Sequence, residues 1–295
     1  MKFNAPPVEE RKTSIVEGPG GLPAIHIDND LAECTIFLYG AHIASFKPKG
    51  TSEVLFMSPH SAFEKGVPIR GGIPVCFPWF GKHPHRDDLF LHGLVRTQVW
   101  KLERISTGED KSTTLVLSTC DDETTRTIWP HRFAINLTVS VAHSLTVEIE
   151  VRNTDTESFT YEEAFHTYFS VDDVQQCRVE GLEGLQARNR LANEERYIQS
   201  GPVTVSDEFV RLFEKVNEDV VLKDSNDTRV IALHHDAFNQ VLVWNPGQIS
   251  GMANPEIAEA WNTFVCVEHA NCLDALITLQ PQEVHRSSIV ISPEK

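Results

Sequence analysis

Two residues stand out for the company they keep. Glu268 follows Phe264, Val265, Cys266 and Val267 at the end of a run that is apolar on both faces of an expected strand. A carboxylate inside such a run is costly unless it is paired, protonated or catalytic, and a structural ion pair is the plainer of these readings. His166 lies in the segment Glu162–Phe169, where alternation puts Ala164, His166 and Tyr168 on one strand face and Phe165, Thr167 and Phe169 on the other. A lone histidine in an apolar strand is ordinarily a hydrogen-bonded core residue. Brought together, a carboxyl and an imidazole form a general acid/base couple, able to remove a proton from one oxygen while delivering another nearby.

Two further islands, at residues 68–81 (PIRGGIPVCFPWFG) and 92–96 (HGLVR), set polar groups among apolar and aromatic neighbours. Arg70 offers a planar fork of donors suited to a phosphate or to vicinal hydroxyls, and the two glycines after it permit a bend and close approach to a ligand. A surface arginine on a turn is the competing reading. Phe77, Pro78, Trp79 and Phe80 fit either core or a sugar-stacking wall. His92 and Arg96 read as hydrogen-bond donors to an oxygen-rich ligand. His83, His85 and His92 suggest a metal site, but no carboxylate at a recognisable ligand spacing accompanies them, and Pro84 marks an exposed loop. No metal and no cofactor is expected.

The elements that must position these groups are mainly strands. Residues 135–151 alternate apolar and polar side chains with period two, broken at His143 and Ser144 where a hairpin turns. Similar runs recur at 33–38, 114–118, 240–244, 263–268, 275–279 and 288–291, separated by Gly, Pro, Asn and Asp clusters. The pattern predicts an all-β, mainly antiparallel sandwich. Two short helices are expected, at 58–65 and at 207–216, the second with Phe209, Leu212, Phe213 and Val216 on one face. Neither lies in a strand-helix-strand repeat, which disfavours a doubly wound fold. With 295 residues and no repeat or linker, one domain over 1–295 is the simpler organisation.

Twenty-six basic against 42 acidic residues give a formal charge of −16, which disfavours nucleic acid and anionic membrane as partners and requires a local basic pocket for any anionic substrate. No apolar run of signal-peptide or membrane-span type occurs, and the six cysteines read as mostly buried free thiols. A cytoplasmic protein, monomeric or weakly oligomeric, is expected.

In order and spacing, IRGGIPVCFPWFG, HGLVR, EEAFHTYF, VWNP at 243–246 and FVCVEHA resemble the aldose 1-epimerase (galactose mutarotase-like) superfamily, most closely its hexose-6-phosphate mutarotase branch, the glucose-6-phosphate 1-epimerases. The resemblance spans most of the chain from Tyr39 onward. It implies a β-supersandwich with a few short helices, and an isomerase that interconverts α and β anomers of a hexose 6-phosphate. It also implies His166 as general acid on the ring oxygen and Glu268 as general base on the C1 hydroxyl. Arg70 and Arg96 would hold the sugar phosphate and His92 the sugar oxygens. Asn189 would stand where many members carry a substrate-binding aspartate, and Leu91 where glutamine is common. Rival readings are a non-catalytic carbohydrate-binding sandwich, a mutarotase for an unphosphorylated aldose, and a metal-dependent jelly roll built on His83, His85 and His92.

Overall fold

The computed structural model describes residues 13–225 and 229–294. Two large antiparallel sheets dominate it. The nine-stranded sheet runs in spatial order Val203–Thr204, Arg178–Glu180, Val220–Lys223, Val230–Asp236, Val284–Pro293, Leu145–Asn153, Phe133–Val141, Thr113–Cys120, Lys101–Thr107. The expected hairpin is its centre: Val141 pairs with Leu145 across His143 and Ser144, and Ile135, Leu137, Val139, Val147 and Ile149 all point into the core.

The eight-stranded sheet runs Glu195–Ile198, Gln186–Asn189, Phe209–Glu214, Gln240–Asn245, Phe264–Asn271, Glu163–Phe165, Val75–Cys76, and Tyr168–Ser170 also pairs with Phe264–Asn271. Its inner face meets the nine-stranded sheet through Phe165, Phe213, Val241, Val243, Val265 and Val267. Each such fully buried side chain contributes about 1.5–3 kcal/mol through removal from water. Its other face carries a second apolar cluster of Cys76, Ala164, Leu212, Leu242 and Ala270. The central strands are therefore covered on both sides, and every residue of Phe264–Asn271 is buried.

This double coverage overturns one expected helix. Residues 207–216 contain the strand Phe209–Glu214, paired with Gln186–Asn189 and Gln240–Asn245. Leu212 faces one apolar cluster and Phe213 the other, so apolar residues on both strand faces imitate helical spacing. The second expected helix, 58–65, is irregular, with Phe63 at φ 46°. Its serine side chains bond sideways: Ser58 Oγ donates to the Glu256 carbonyl, and Ser61 Oγ accepts from the Arg70 N–H at 3.0 Å. The α-helices present are Glu123–Ile128, closed by an Asp122 capping box, and Gly247–Ala253.

Gly71 and Gly72 serve the fold rather than a ligand. At φ 110° and 60°, a Cβ on them would stand 2.5 Å from the Phe56 carbonyl oxygen and 2.2 Å from that of Ile43. They let the Arg70 segment press against its neighbours. Among the described residues no helix is long and apolar enough to cross a membrane. All six cysteines are free, and all but Cys120 are buried.

Candidate active site

Glu268 and Cys266 project from the same face of Phe264–Asn271, opposite the core residues Val265 and Val267. His166 sits where its own chain leaves the sheet, between Glu163–Phe165 and Tyr168–Ser170. There its N–H donates to the Pro74 carbonyl, while the Thr167 carbonyl accepts from Val267 N–H at 3.1 Å. The expected alternation survives the break, and the imidazole stacks on the Tyr168 ring with centroids 4.8 Å apart and planes within 5°. The two elements bring His166 Nδ1 to 3.3 Å from Glu268 Oε2, with side chains 7% and 1% exposed. The pair stands side by side rather than across a sugar-sized gap, and neither atom makes an aligned hydrogen bond. A buried polar group left in this way costs about 1–3 kcal/mol.

Burial sets the proton positions. It holds the Glu268 carboxyl well above the usual carboxylate range, with Arg190 pulling weakly the other way. It holds the His166 imidazole well below its ordinary value, and His92, Arg96 and Arg70 add to the effect. Both directions favour neutral forms, a protonated carboxyl beside a neutral imidazole. That state has the same proton count as a carboxylate beside an imidazolium, the two differing by one proton moved across the 3.3 Å contact.

The pair opens onto a cleft of about 1000 Å³ whose walls include Arg70, Trp79, Phe80, Lys82, His92, Arg190, Leu242, Trp244 and Asn254. His92 reaches it from a left-handed backbone position, φ 66°. Its Nδ1 accepts from Gly81 N–H at 3.2 Å, which leaves Nε2 as the protonated donor, and its ring lies 5.0 Å from that of His166. Burial and nearby arginines keep it neutral. Arg70 lines the cleft while bound to Glu256 Oε2 at 2.6 Å and to the Tyr168 hydroxyl at 3.2 Å. Arg96 does not line the cleft wall. It lies behind it, its Nε buried without a partner and its charge felt by His42, Cys76, His92 and His166. Asn189 is also outside: its Oδ1 accepts from Leu191 N–H at 3.1 Å, and the next residue, Arg190, faces the cleft in its stead.

A family model for aldose 1-epimerase matches residues 23–292. The chain belongs to the aldose 1-epimerase family. It is 30% identical over 291 residues to a protein of Cenchrus ciliaris named "Putative glucose-6-phosphate 1-epimerase", covering 94% of this chain and 87% of that one. It is 32% identical over 250 residues to a protein of the same name from Escherichia coli K12, covering 84% and 83%. A solved structure described as a "putative mutarotase (YeaD)" from Salmonella typhimurium superposes with a TM-score of 0.87 at 27% identity, covering 96% and 97%.

The protein is thus an isomerase acting on sugars, on the galactose mutarotase-like fold expected from its sequence. The wall residues Phe77–Phe80 divide between the two readings offered for them: Phe77 is core, while Pro78, Trp79 and Phe80 line the cleft. Sequence reasoning missed Arg190, Lys82, Trp244 and Asn254. Arg190 was detectable as the second arginine of the Arg188-Asn189-Arg190 triplet at a strand end. Trp244 was detectable by alternation, since it shares strand parity with Leu242. Lys82 and Asn254 are loop residues with no periodic signal. Among the described residues His83, His85 and His92 form no ligand cluster; His83 packs on Trp79, and His92 on His166 and Phe80.

Proposed function

We propose that the enzyme interconverts the α and β anomers of a hexose 6-phosphate, glucose 6-phosphate fitting best, through His166 and Glu268. The observation that carries this reading is the buried, unaligned contact between the two, with one proton to exchange and a sugar-sized cleft in front of it. Ring opening needs a proton to leave the C1 hydroxyl and another to reach the ring oxygen. In its carboxylate/imidazolium form the pair does both, Glu268 accepting from C1–OH and His166 donating to the ring oxygen. Rotation about C1–C2 and reversal of the two transfers close the other anomer and restore the pair. The bond from C1 to the ring oxygen breaks as the C1 carbonyl forms and re-forms on closure, while the protein groups exchange only protons.

The phosphate assignment rests on charge. In a chain of formal charge −16, Arg70, Lys82 and Arg190 line the cleft and Arg96 lies behind it. Lys82 lines the cleft and makes no ion pair among the described residues, so its charge is available to a phosphate, with Arg96 adding to the field from behind the wall, whereas Arg70 is already answered by Glu256. Saturation-transfer NMR on glucose 6-phosphate, glucose and galactose tests the reading. Lys82→Ala is expected to raise KM for the 6-phosphate far more than for the free sugars, and Arg70→Ala to do so less. Equal effects on all three sugars reject the phosphate role. The Arg70–Glu256 pairing favours the second reading, a mutarotase for an unphosphorylated aldose, which glucose turnover exceeding glucose 6-phosphate turnover would establish.

A further inference from the structure

We propose that His166, Glu268 and Cys266 together form a site for a thiophilic divalent cation of the zinc class, and that the cation shuts the enzyme off by occupying the lone pairs that catalysis uses. The second half rests on the catalytic reading above; the first does not.

One ligand atom from each of the three residues lies within 4.8 Å of the other two, and all three residues are buried. Strand alternation fixes this arrangement. Cys266 and Glu268, two residues apart, share the cleft-side face, and Cys266 stands opposite Tyr168, on whose ring His166 stacks. A second observation points to a ligand: His166 Nδ1 and Glu268 Oε2 are buried, 3.3 Å apart, and neither has a hydrogen-bond partner.

The donor set selects the cation. A thiolate, an imidazole and a carboxylate suit zinc, cadmium or cobalt, whereas magnesium and calcium require oxygen ligands. Zinc sits roughly 2.0–2.3 Å from such atoms, which places ligands of a tetrahedral site about 3.3–3.8 Å from each other. From the present spacing of up to 4.8 Å the ligands therefore close by at most about 1.5 Å through side-chain rotation. Access is from the cleft, which His166 and Glu268 line. On binding, the Cys266 thiol proton and the proton held by the pair pass to solvent. With metal in place the imidazole lone pair and the carboxylate are both engaged, and neither can take or give a proton.

The test uses chelator-stripped full-length protein carrying Cys120→Ser, which removes the exposed thiol. Cobalt(II) is expected to produce a thiolate-to-metal charge-transfer band that Cys266→Ser abolishes. Zinc chloride is expected to stop glucose 6-phosphate anomer exchange at about one equivalent, with recovery on adding EDTA. Cys266→Ser should weaken zinc inhibition at least about tenfold while exchange without metal stays near wild type; Cys266→Ala provides a second variant should the serine fold poorly. A cobalt complex lacking the thiolate band, or zinc inhibition unchanged in both Cys266 variants, overturns the site. The band together with undiminished exchange overturns the inhibition and, separately, the placing of catalysis at this pair.

Discussion

Glu163 and Glu268 are both 1% exposed, and they sit on strands that pair directly, Glu163 opposite Asn271. Each leaves its Oε2 without a hydrogen-bond partner, but the surroundings of the other oxygen and of the strand face differ. Glu163 faces the space between the two large sheets, where its Oε1 accepts from Asn271 Nδ2 at 3.1 Å and Ser287 Oγ at 2.5 Å, with His285 Nε2 at 3.5 Å. Asn271 extends the network to the Ala237 carbonyl and to Asn239, and Ser287 belongs to the nine-stranded sheet. Glu268, three residues before Asn271, faces the cleft and meets only an unaligned imidazole. Burial is thus the same for the stitch between sheets and for the candidate base. What separates them is the strand face and how much hydrogen-bonding capacity the surroundings absorb.

That contrast can be broken most directly at the two carboxylates and His166. Glu268→Gln and His166→Gln are each expected to lower the NMR anomer-exchange rate by about 10²–10⁴-fold with the fold intact. Either variant retaining wild-type exchange removes the pair from the chemistry. Glu163→Gln is expected to do the reverse, lowering unfolding free energy in urea by about 1–3 kcal/mol while the rate per folded molecule stays unchanged. Both effects appearing in one variant would erase the distinction.

The pH dependence of stability sharpens it. Because burial raises the folded Glu268 carboxyl above its unfolded value of 4.5, its contribution is fully present below that value and is lost as pH rises through the folded one. Glu268→Gln should therefore flatten the loss of stability toward higher pH. His269, on the same strand but facing the core, is depressed to about 3 by burial. Its contribution is present above 6.5 and is lost as pH falls toward about 3. His269→Leu should thus flatten the acid limb, by up to about 1.4 kcal/mol per pH unit. Unchanged urea midpoints between pH 6.5 and 4 would count against this. The smallest effect is expected from Ser287→Ala, a loss of about 1 kcal/mol with no change in exchange.

The strand pattern was legible because most strands have one apolar face, as in residues 135–151, and period two then reads out directly. It failed at residues 209–214, where apolar residues on both faces destroy the alternation that distinguishes strand from helix. Glu268 was conspicuous because a carboxylate breaks an otherwise apolar strand. His166 was not, since a core histidine such as His269 looks the same in sequence, and only the resemblance singled it out. Asn189 and Arg190 show the limit of position-by-position transfer. They are adjacent, yet one closes its own turn and the other faces the substrate side, a difference set by strand direction rather than residue type.

The alternation of Phe264–Asn271 makes the active centre a question of parity. Deleting one residue upstream within this strand would turn Glu268 into the dry space beside Phe213 and present His269 to the sugar. Deleting two would restore the parity but pull the carboxyl one pleat along, away from His166. Length variation should therefore be tolerated in the exposed turn of residues 108–111 and purged from the eight residues that end at Asn271.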